Sequence, residues 1–288
     1  MMKLKNNLLI LLSVVSLVLS GCSTGSADLL REISSVKVYA ETDKSVAVNI
    51  KDVPQYSGTP YVEINNNEPS FSEKDTERVE EYSKLDKLGR CGPAFANVSR
   101  DIMPTSPRES IRDMRPSGWH TVKYDDIIED RYLYNRCHLI AFMLAGENAN
   151  ERNLITGTRY FNVEGMLPFE NQVADYVQST GNHVLYRVRP IFKGDDLVAR
   201  GVQMEAKSVE DGGKGVSFNV YCYNIQPGIR INYKDGSSQP ESKVQKNKNK
   251  KNKKPYKSNK TKKARKKYGM NVYQKDWYIT ELDGYDIS

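Results

Sequence analysis

Apolar and polar positions alternate with period two through much of the second half of the chain. Val184, Tyr186 and Val188 are spaced so that their side chains share one face of a strand. The pattern predicts strands over Val184–Phe192, Leu197–Glu205, Val216–Asn224 and Gly228–Tyr233, with turns at Gly212-Gly213 and Asp235-Gly236. Earlier in the chain, Pro60–Ile64, Trp119–Tyr124, Tyr132–Ile140 and Leu154–Thr158 also read as strands. Helices are expected over Ser72–Lys84, behind Ser72 as N-cap, and from near Tyr160. Pro168 interrupts the latter and suits the first position of a second helix, Pro168–Val177. Gly89–Pro116, rich in proline and arginine, reads as loop. Strands at both ends with helices between them predict an α+β domain built on a mostly antiparallel sheet.

A chain of 288 residues holds one substantial domain with extensions, or two small ones. Residues 1–22 read as a lipoprotein signal peptide. Lys3 and Lys5 precede the apolar run Leu8–Leu19, which is shorter than the roughly 20 residues that span a bilayer. Leu19-Ser20-Gly21-Cys22 then resembles a lipobox, with Cys22 as lipid anchor. Residues 23–55 read as a polar tether, 56–240 as the globular body, 241–268 as a Lys-rich linker and 269–288 as a short terminal segment.

Charge sharpens this division. The formal net charge is +7, but Ser242–Lys267 holds 14 Lys and Arg and no acidic residue, so the rest of the chain carries −7. The basic character belongs to a tail that can bury no apolar face. Such a tail could draw in DNA by charge, bind anionic wall polymers or headgroups, or act as a solvated spacer. Beyond Cys22, three cysteines remain (Cys91, Cys137 and Cys222) and no CxxC pair exists, which argues against a zinc site. One disulfide fits an exported protein, and the sequence does not choose its members.

The candidate chemistry lies in Tyr134-Asn135-Arg136-Cys137-His138-Leu139-Ile140, followed by Asn153, Asn162 and Glu170. On a strand, Arg136 and His138 share one face and Cys137 points to the other. A thiol–imidazole pair is thereby excluded, and Cys137 becomes a small buried filler. A guanidinium suits a phosphate, and a neutral imidazole can take a proton from water. A hard cation that keeps most of its waters needs little more than one amide oxygen, which Asn162 can supply, with Glu170 steadying a water. Each residue also has a plainer use. A strand-end histidine is commonly structural, asparagines cap helices, and Glu170 is favourable in a first helical turn.

Asn135-Arg136-Cys137-His138, with Asn150-Glu151-Arg152-Asn153-Leu154-Ile155-Thr156-Gly157, Asn162 and Leu167-Pro168-Phe169-Glu170-Asn171, resembles the DNA/RNA non-specific endonucleases of the ββα-metal class. It is especially similar to the secreted and surface DNases of streptococci. The family's usual tetrapeptide is Asp-Arg-Gly-His. Asn135 and Cys137 depart from it on the face away from the site, in the form the streptococcal branch also carries. The resemblance runs from about Leu88 to Tyr233.

It implies a ββα-metal motif within the sheet domain and a hydrolase cutting DNA, and RNA too, while the lipobox, which the resemblance does not cover, adds export and anchoring on the outer face of a bacterial membrane. It also implies magnesium, or manganese in its place. His138 becomes the general base, Asn162 the metal ligand and Arg136 the phosphate ligand. Asn153 orients the site, toward either phosphate or His138, and Glu170 supports the metal. Arg159 joins Arg136 in substrate binding, and Arg90, Arg108, Arg112 and Arg115 are further backbone candidates. His120 and His183 fall outside the motif and are expected to be structural. The competing reading is a non-catalytic surface lipoprotein that binds nucleic acid on the same scaffold.

Overall fold

The computed structural model describes residues 47–241. The lipobox, most of the tether, the Lys-rich run and the terminal segment expected from the sequence lie outside them. In chain order the strands are β1 (Tyr61–Glu63), β2 (Glu80–Tyr82), β3 (Ala94–Val98), β4 (Tyr134–His138), β5 (Leu154–Thr158), β6 (Val184–Ile191), β7 (Gly201–Ser208), β8 (Ser217–Tyr223), β9 (Ile229–Ile231) and β10 (Ser238–Pro240). The helices are α1 (Phe142–Ala145) and α2 (Leu167–Thr180). Six strands form one sheet in the order β1-β8-β7-β6-β3-β2, and β4–β5 and β9–β10 form separate ribbons. Every pairing is antiparallel. The α+β, mostly antiparallel class expected from the sequence is the observed one.

Period two explains the sheet's two faces. Val184, Tyr186 and Val188 of β6 align with Met204 and Ala206 of β7, Phe218 and Val220 of β8, and Ala94, Ala96 and Val98 of β3. This face meets Phe161, Met166, Val173, Ala174 and Val177 from the helical segment in one core. The opposite face carries Arg187, Arg189, Gln203, Glu205 and Asn219, all buried. Glu205 accepts from Arg187 Nε at 3.0 Å, from Arg189 Nη1, and from the amide and hydroxyl of Ser70 at 2.9 and 2.7 Å. Burial alone would raise this carboxyl, but the two guanidinium groups and Ser70 hold it below its ordinary range.

Several expected elements are redrawn. The Ser72–Lys84 helix is a single turn, Glu73–Glu77, after which the chain extends into β2. Ser72 does start the turn, its amide donating to Asp75 Oδ2 at 2.8 Å. Beyond it, Val79 and Tyr82 are too few apolar positions to give a helix a buried stripe. Trp119–Tyr124 is not a strand and makes one isolated bridge, Lys123 to Tyr132. The supposed loop Gly89–Pro116 contains β3, a buried strand of the main sheet. β7 begins at Gly201, because Leu197 and Val198 instead donate to the carbonyls of Lys234 and Tyr233. The packed body also starts before Tyr56: Val48, Ile50 and Val53 lie against a small cluster with Ile191 and Tyr221.

Pro168 stands in the first turn of α2, as expected, but no break precedes it. Helical structure is continuous from Arg159 to Thr180, with a π segment over Phe161–Met166. Leu167 donates to the carbonyl of Asn162, five residues back. Proline would clash with the carbonyl four residues before it in a regular α-turn, and the wider turn admits it. None of Cys91, Cys137 and Cys222 is in a disulfide, and all three are buried.

The β4–β5 ribbon lies tightly against the start of this helix at Gly157. A Cβ there would stand 2.4 Å from Cys137 Sγ and 2.6 Å from Phe161 Cδ1. Cys137 is thus the buried filler expected of it. Gly157→Ala should destabilise the fold by about 1–3 kcal/mol, the usual cost of overpacking. Urea unfolding, read as a lower midpoint at unchanged slope, checks this.

Candidate active site

The site is built on one end of the β4–β5 ribbon. Register places His138 opposite Leu154 and Arg136 opposite Thr156. His138 is 5% exposed. Its Nε2 lies 2.8 Å from the carbonyl oxygen of Asn148, and its Nδ1 lies 3.3 Å from Arg108 Nη2. A carbonyl can only accept, so Nε2 carries the proton and Nδ1 presents its lone pair. Burial is the largest influence on this ring, and the charge of Arg108 adds to it. Together they push its pKa down to about 3, against the opposing pull of the Asn148 and Glu147 backbone. The imidazole is therefore neutral throughout the physiological range.

Asn153 holds the end of the strand. It is 0% exposed, and its side-chain amide spans the backbone of Ile140. Ile140 N donates to Oδ1 at 2.8 Å, and Nδ2 donates to the Ile140 carbonyl at 2.9 Å. The main chain repeats the tie, with Leu139 N donating to Asn153 O at 2.8 Å. Of the two orientations left open by the sequence, the amide takes neither directly. It fixes the backbone two residues beyond His138 and positions the ring through the chain.

Arg136 is also placed differently from expectation. Its Nε donates to Met114 O at 2.8 Å, Nη2 donates to Arg112 O, and the guanidinium stacks 4.0 Å above the Trp119 ring. Burial first, then the neighbouring Arg115 charge, lowers its pKa to about 10, so it remains a cation. Arg159 is paired with Asp130, and Arg90 with Asp86, the carbonyls of Gly194 and Asp196, and the Phe192 ring. Arg159 Nη1 is buried without a hydrogen-bond partner among the described residues. Arg108, Arg112 and Arg115 stand together on the loop that Arg136 holds, with Arg112 and Arg115 exposed. The described body has 23 basic and 28 acidic residues, net −5, whereas residues 108–115 carry three arginines against Glu109 and Asp113, net +1, beside Arg136.

Asn162 lies in the π segment, half-buried, and no described residue hydrogen-bonds its side-chain amide. Glu170 is 3% exposed in the first turn of α2. Its charge, after burial, contributes to raising the Cys222 thiol well above its ordinary value. Among the described residues no cluster of three His, Cys, Asp or Glu could hold a metal by itself. The other two histidines have partners of their own. His183 Nδ1 pairs with Glu210 Oε1 at 2.6 Å, and His120 Nε2 lies 2.9 Å from the Asp235 carbonyl, although in a loop rather than a strand. Two participants were not foreseen. The Asn148 carbonyl sets the tautomer of His138 and leaves no side-chain signal in a sequence. Trp119 is an aromatic ring in a Pro/Ser/Gly loop, which is the signal that could have identified it.

Asn153→Ala would leave the buried N–H and C=O of Ile140 unpaired, at about 1–3 kcal/mol each. The variant should lose about 2–4 kcal/mol of stability in denaturant unfolding and carry His138 on a loosened strand end.

Residues 69–210 match the model of the DNA/RNA non-specific endonuclease family. NucA from Streptococcus agalactiae, solved with magnesium bound, is 27% identical with a TM-score of 0.57 over 67% of this chain and 92% of that one. Its metal-free structure gives 28% and the same TM-score and coverage. The Sda1 nuclease, solved with zinc, shares the fold at 24% identity and TM-score 0.52, over 64% of this chain and 97% of that one. No curated protein matches the sequence. The matched span runs from before the Glu73 turn through the end of β7, and these residues form a DNA/RNA non-specific endonuclease domain, a hydrolase acting on nucleic acids.

Proposed function

We propose that His138 is the general base of a metal-dependent endonuclease that cuts the phosphodiester backbone of DNA, and of RNA, without reading sequence. One observation carries the reading: a buried neutral imidazole whose Nε2 proton is held by the Asn148 carbonyl and whose Nδ1 lone pair faces an arginine. Nδ1 here accepts from Arg108 Nη2, and once Arg108 turns to a phosphate the same lone pair takes the proton of an attacking water. Arg108 stands next to the position a phosphate must occupy and binds its oxygens, while Arg112 and Arg115 hold the flanking backbone. Charge contacts of this kind position the duplex without selecting bases. A phosphate anion beside Arg108 also offsets the charge that weakens His138 as a base.

The residues fit a hard divalent cation, since Asn162 offers an amide oxygen that no described residue engages, and Glu170 is a buried carboxylate on the same helix. Such an ion, when bound, supplies positive charge to the transition state and the leaving oxygen. Magnesium suits an oxygen donor set with few protein ligands. The Leu19-Ser20-Gly21-Cys22 motif supports export and lipid anchoring at the outer face of a bacterial membrane, with part of the protein released. The Lys-rich run then has an accessory electrostatic role toward nucleic acid or surface polymers.

Purified Ser23–Ser288 should degrade plasmid DNA with Mg²⁺ and stop when the metal is chelated. His138→Ala should lower the rate by roughly 10²–10⁴, the usual share of a general base. Uncut DNA with the unaltered protein and metal, or equal cutting by the variant, would overturn the assignment.

The depressed pKa gives the proposal a sign in pH. kcat/KM should not fall as pH drops through 6.5, because His138 stays unprotonated until far below it. Arg108→Gln removes a positive charge and should move the acid limb upward, toward the ordinary histidine value. A pH profile of kcat/KM for the two proteins, on one substrate and at fixed salt, measures this.

A further inference from the structure

The arginines that face the nucleic acid repel one another, so something must hold their loop in place. The ribbon does so with two side chains that face each other across β4 and β5. Arg136 donates to the carbonyls of Met114 and Arg112, and its partner Thr156 donates to the carbonyl of Ser117 at 2.9 Å. Trp119 closes the arrangement with its ring 4.0 Å from the guanidinium. The loop adds its own turns, with Met114 N donating to Ile111 O and Trp119 N to Pro116 O. Ile111 is buried at its base. Trp119 Nε1 is buried with no hydrogen-bond partner, so the indole is used here for its face rather than its N–H.

We infer that Arg136 and Trp119 form a clasp that sets the 108–119 loop over His138, and that both are positioning residues for nucleic-acid cleavage. Arg136 acts on the substrate through Arg108, Arg112 and Arg115. This rests on the nuclease reading of the site, but the geometry of the clasp does not need it. The planar fork of arginine is essential to the arrangement. It can donate to two carbonyls while lying flat on an indole, whereas a lysine ammonium keeps the charge and loses that geometry.

The test compares Arg136→Lys, Trp119→Leu and Trp119→Phe in the full chain. Limited trypsin digestion is followed by mass spectrometry, counting peptides that end at Arg108 or Arg112. Loop cleavage should rise by about tenfold in Arg136→Lys and Trp119→Leu, as local opening exposes it. Trp119→Phe, which keeps an aromatic face, should retain the resistance of the unaltered protein. In DNA cleavage, KM should rise about tenfold in the two opened variants, with a smaller change in kcat, as lost backbone binding requires. If Arg136 were itself the phosphate ligand, Arg136→Lys would lower kcat and leave the loop resistant, and the clasp would be wrong. Equal loop cleavage in Trp119→Leu and the unaltered protein would also reject it.

Digestion is repeated in a His138→Ala background, where no DNA cutting is needed for the readout. Opening by Arg136→Lys there sustains the clasp even if His138→Ala still cuts DNA, an outcome that would defeat the base assignment alone. Unchanged circular dichroism and thermal midpoints, measured alongside, separate loop opening from global unfolding.

Discussion

The burial of His138 is the constraint on which the site depends. A buried imidazole is neutral, and a neutral imidazole has one donor and one acceptor. The carbonyl of Asn148 takes the donor, so Nδ1 is left as the acceptor. Everything that holds those two backbone positions then becomes part of the chemistry. The β4–β5 pairing places the ring, and Asn153 ties down the turn beyond it. The six-stranded sheet and its helix give this ribbon a rigid base. The Gly157 contact shows how close that base is, since the ribbon, Cys137 and Phe161 leave no room for one methyl group. Sheet stability and base placement are in this way the same problem.

Much of this was legible in the residues, and the failures have physical causes. β6 and β8 are long, with apolar side chains on one face, and period two locates them within a residue or two. β3 was missed because Ala94-Phe95-Ala96-Asn97-Val98 is short and its alanines carry little hydrophobic signal, while proline and arginine surround it. Its strand character comes from pairing with β2 and β6, which are distant in sequence. At Ser72 the capping chemistry was correct and the length was not, because a cap says where a turn begins and apolar spacing decides how far it continues. Pro168 was read as a break because a regular α-turn cannot hold it, and nothing local announces a π segment.

The site itself divides along the same line. His138, Asn153, Asn162 and Glu170 are put forward on residue type and spacing. The partners of their polar atoms cannot be read from either. Arg136 shows the difference most clearly. Its motif position suggests phosphate, but its donors go to the carbonyls of Met114 and Arg112 more than twenty residues earlier in the chain. A backbone carbonyl is present at every residue, so no sequence pattern marks the particular ones that a guanidinium will choose. Arg108, which faces His138, looked no different from four other arginines until its distance to Nδ1 was known.

Net charge raises a last question, since the described body is negative and its substrate is a polyanion. Screening resolves it. At physiological ionic strength exposed charges are felt over about 8 Å, so an approaching strand responds to the nearest patch rather than to the body's total. Arg108, Arg112, Arg115 and Arg136 lie within one loop and the strand that holds it, while Asp130 and Asp86 are spent on Arg159 and Arg90. Gathering like charges in this way costs repulsion: burial is the first cause of the lowered pKa of Arg136, and the charge of Arg115 adds to it. Carbonyl dipoles and an aromatic face offset that cost, and Asp113 on the same loop offsets part of it. A guanidinium held by neutral acceptors keeps its own charge in the field that the strand meets.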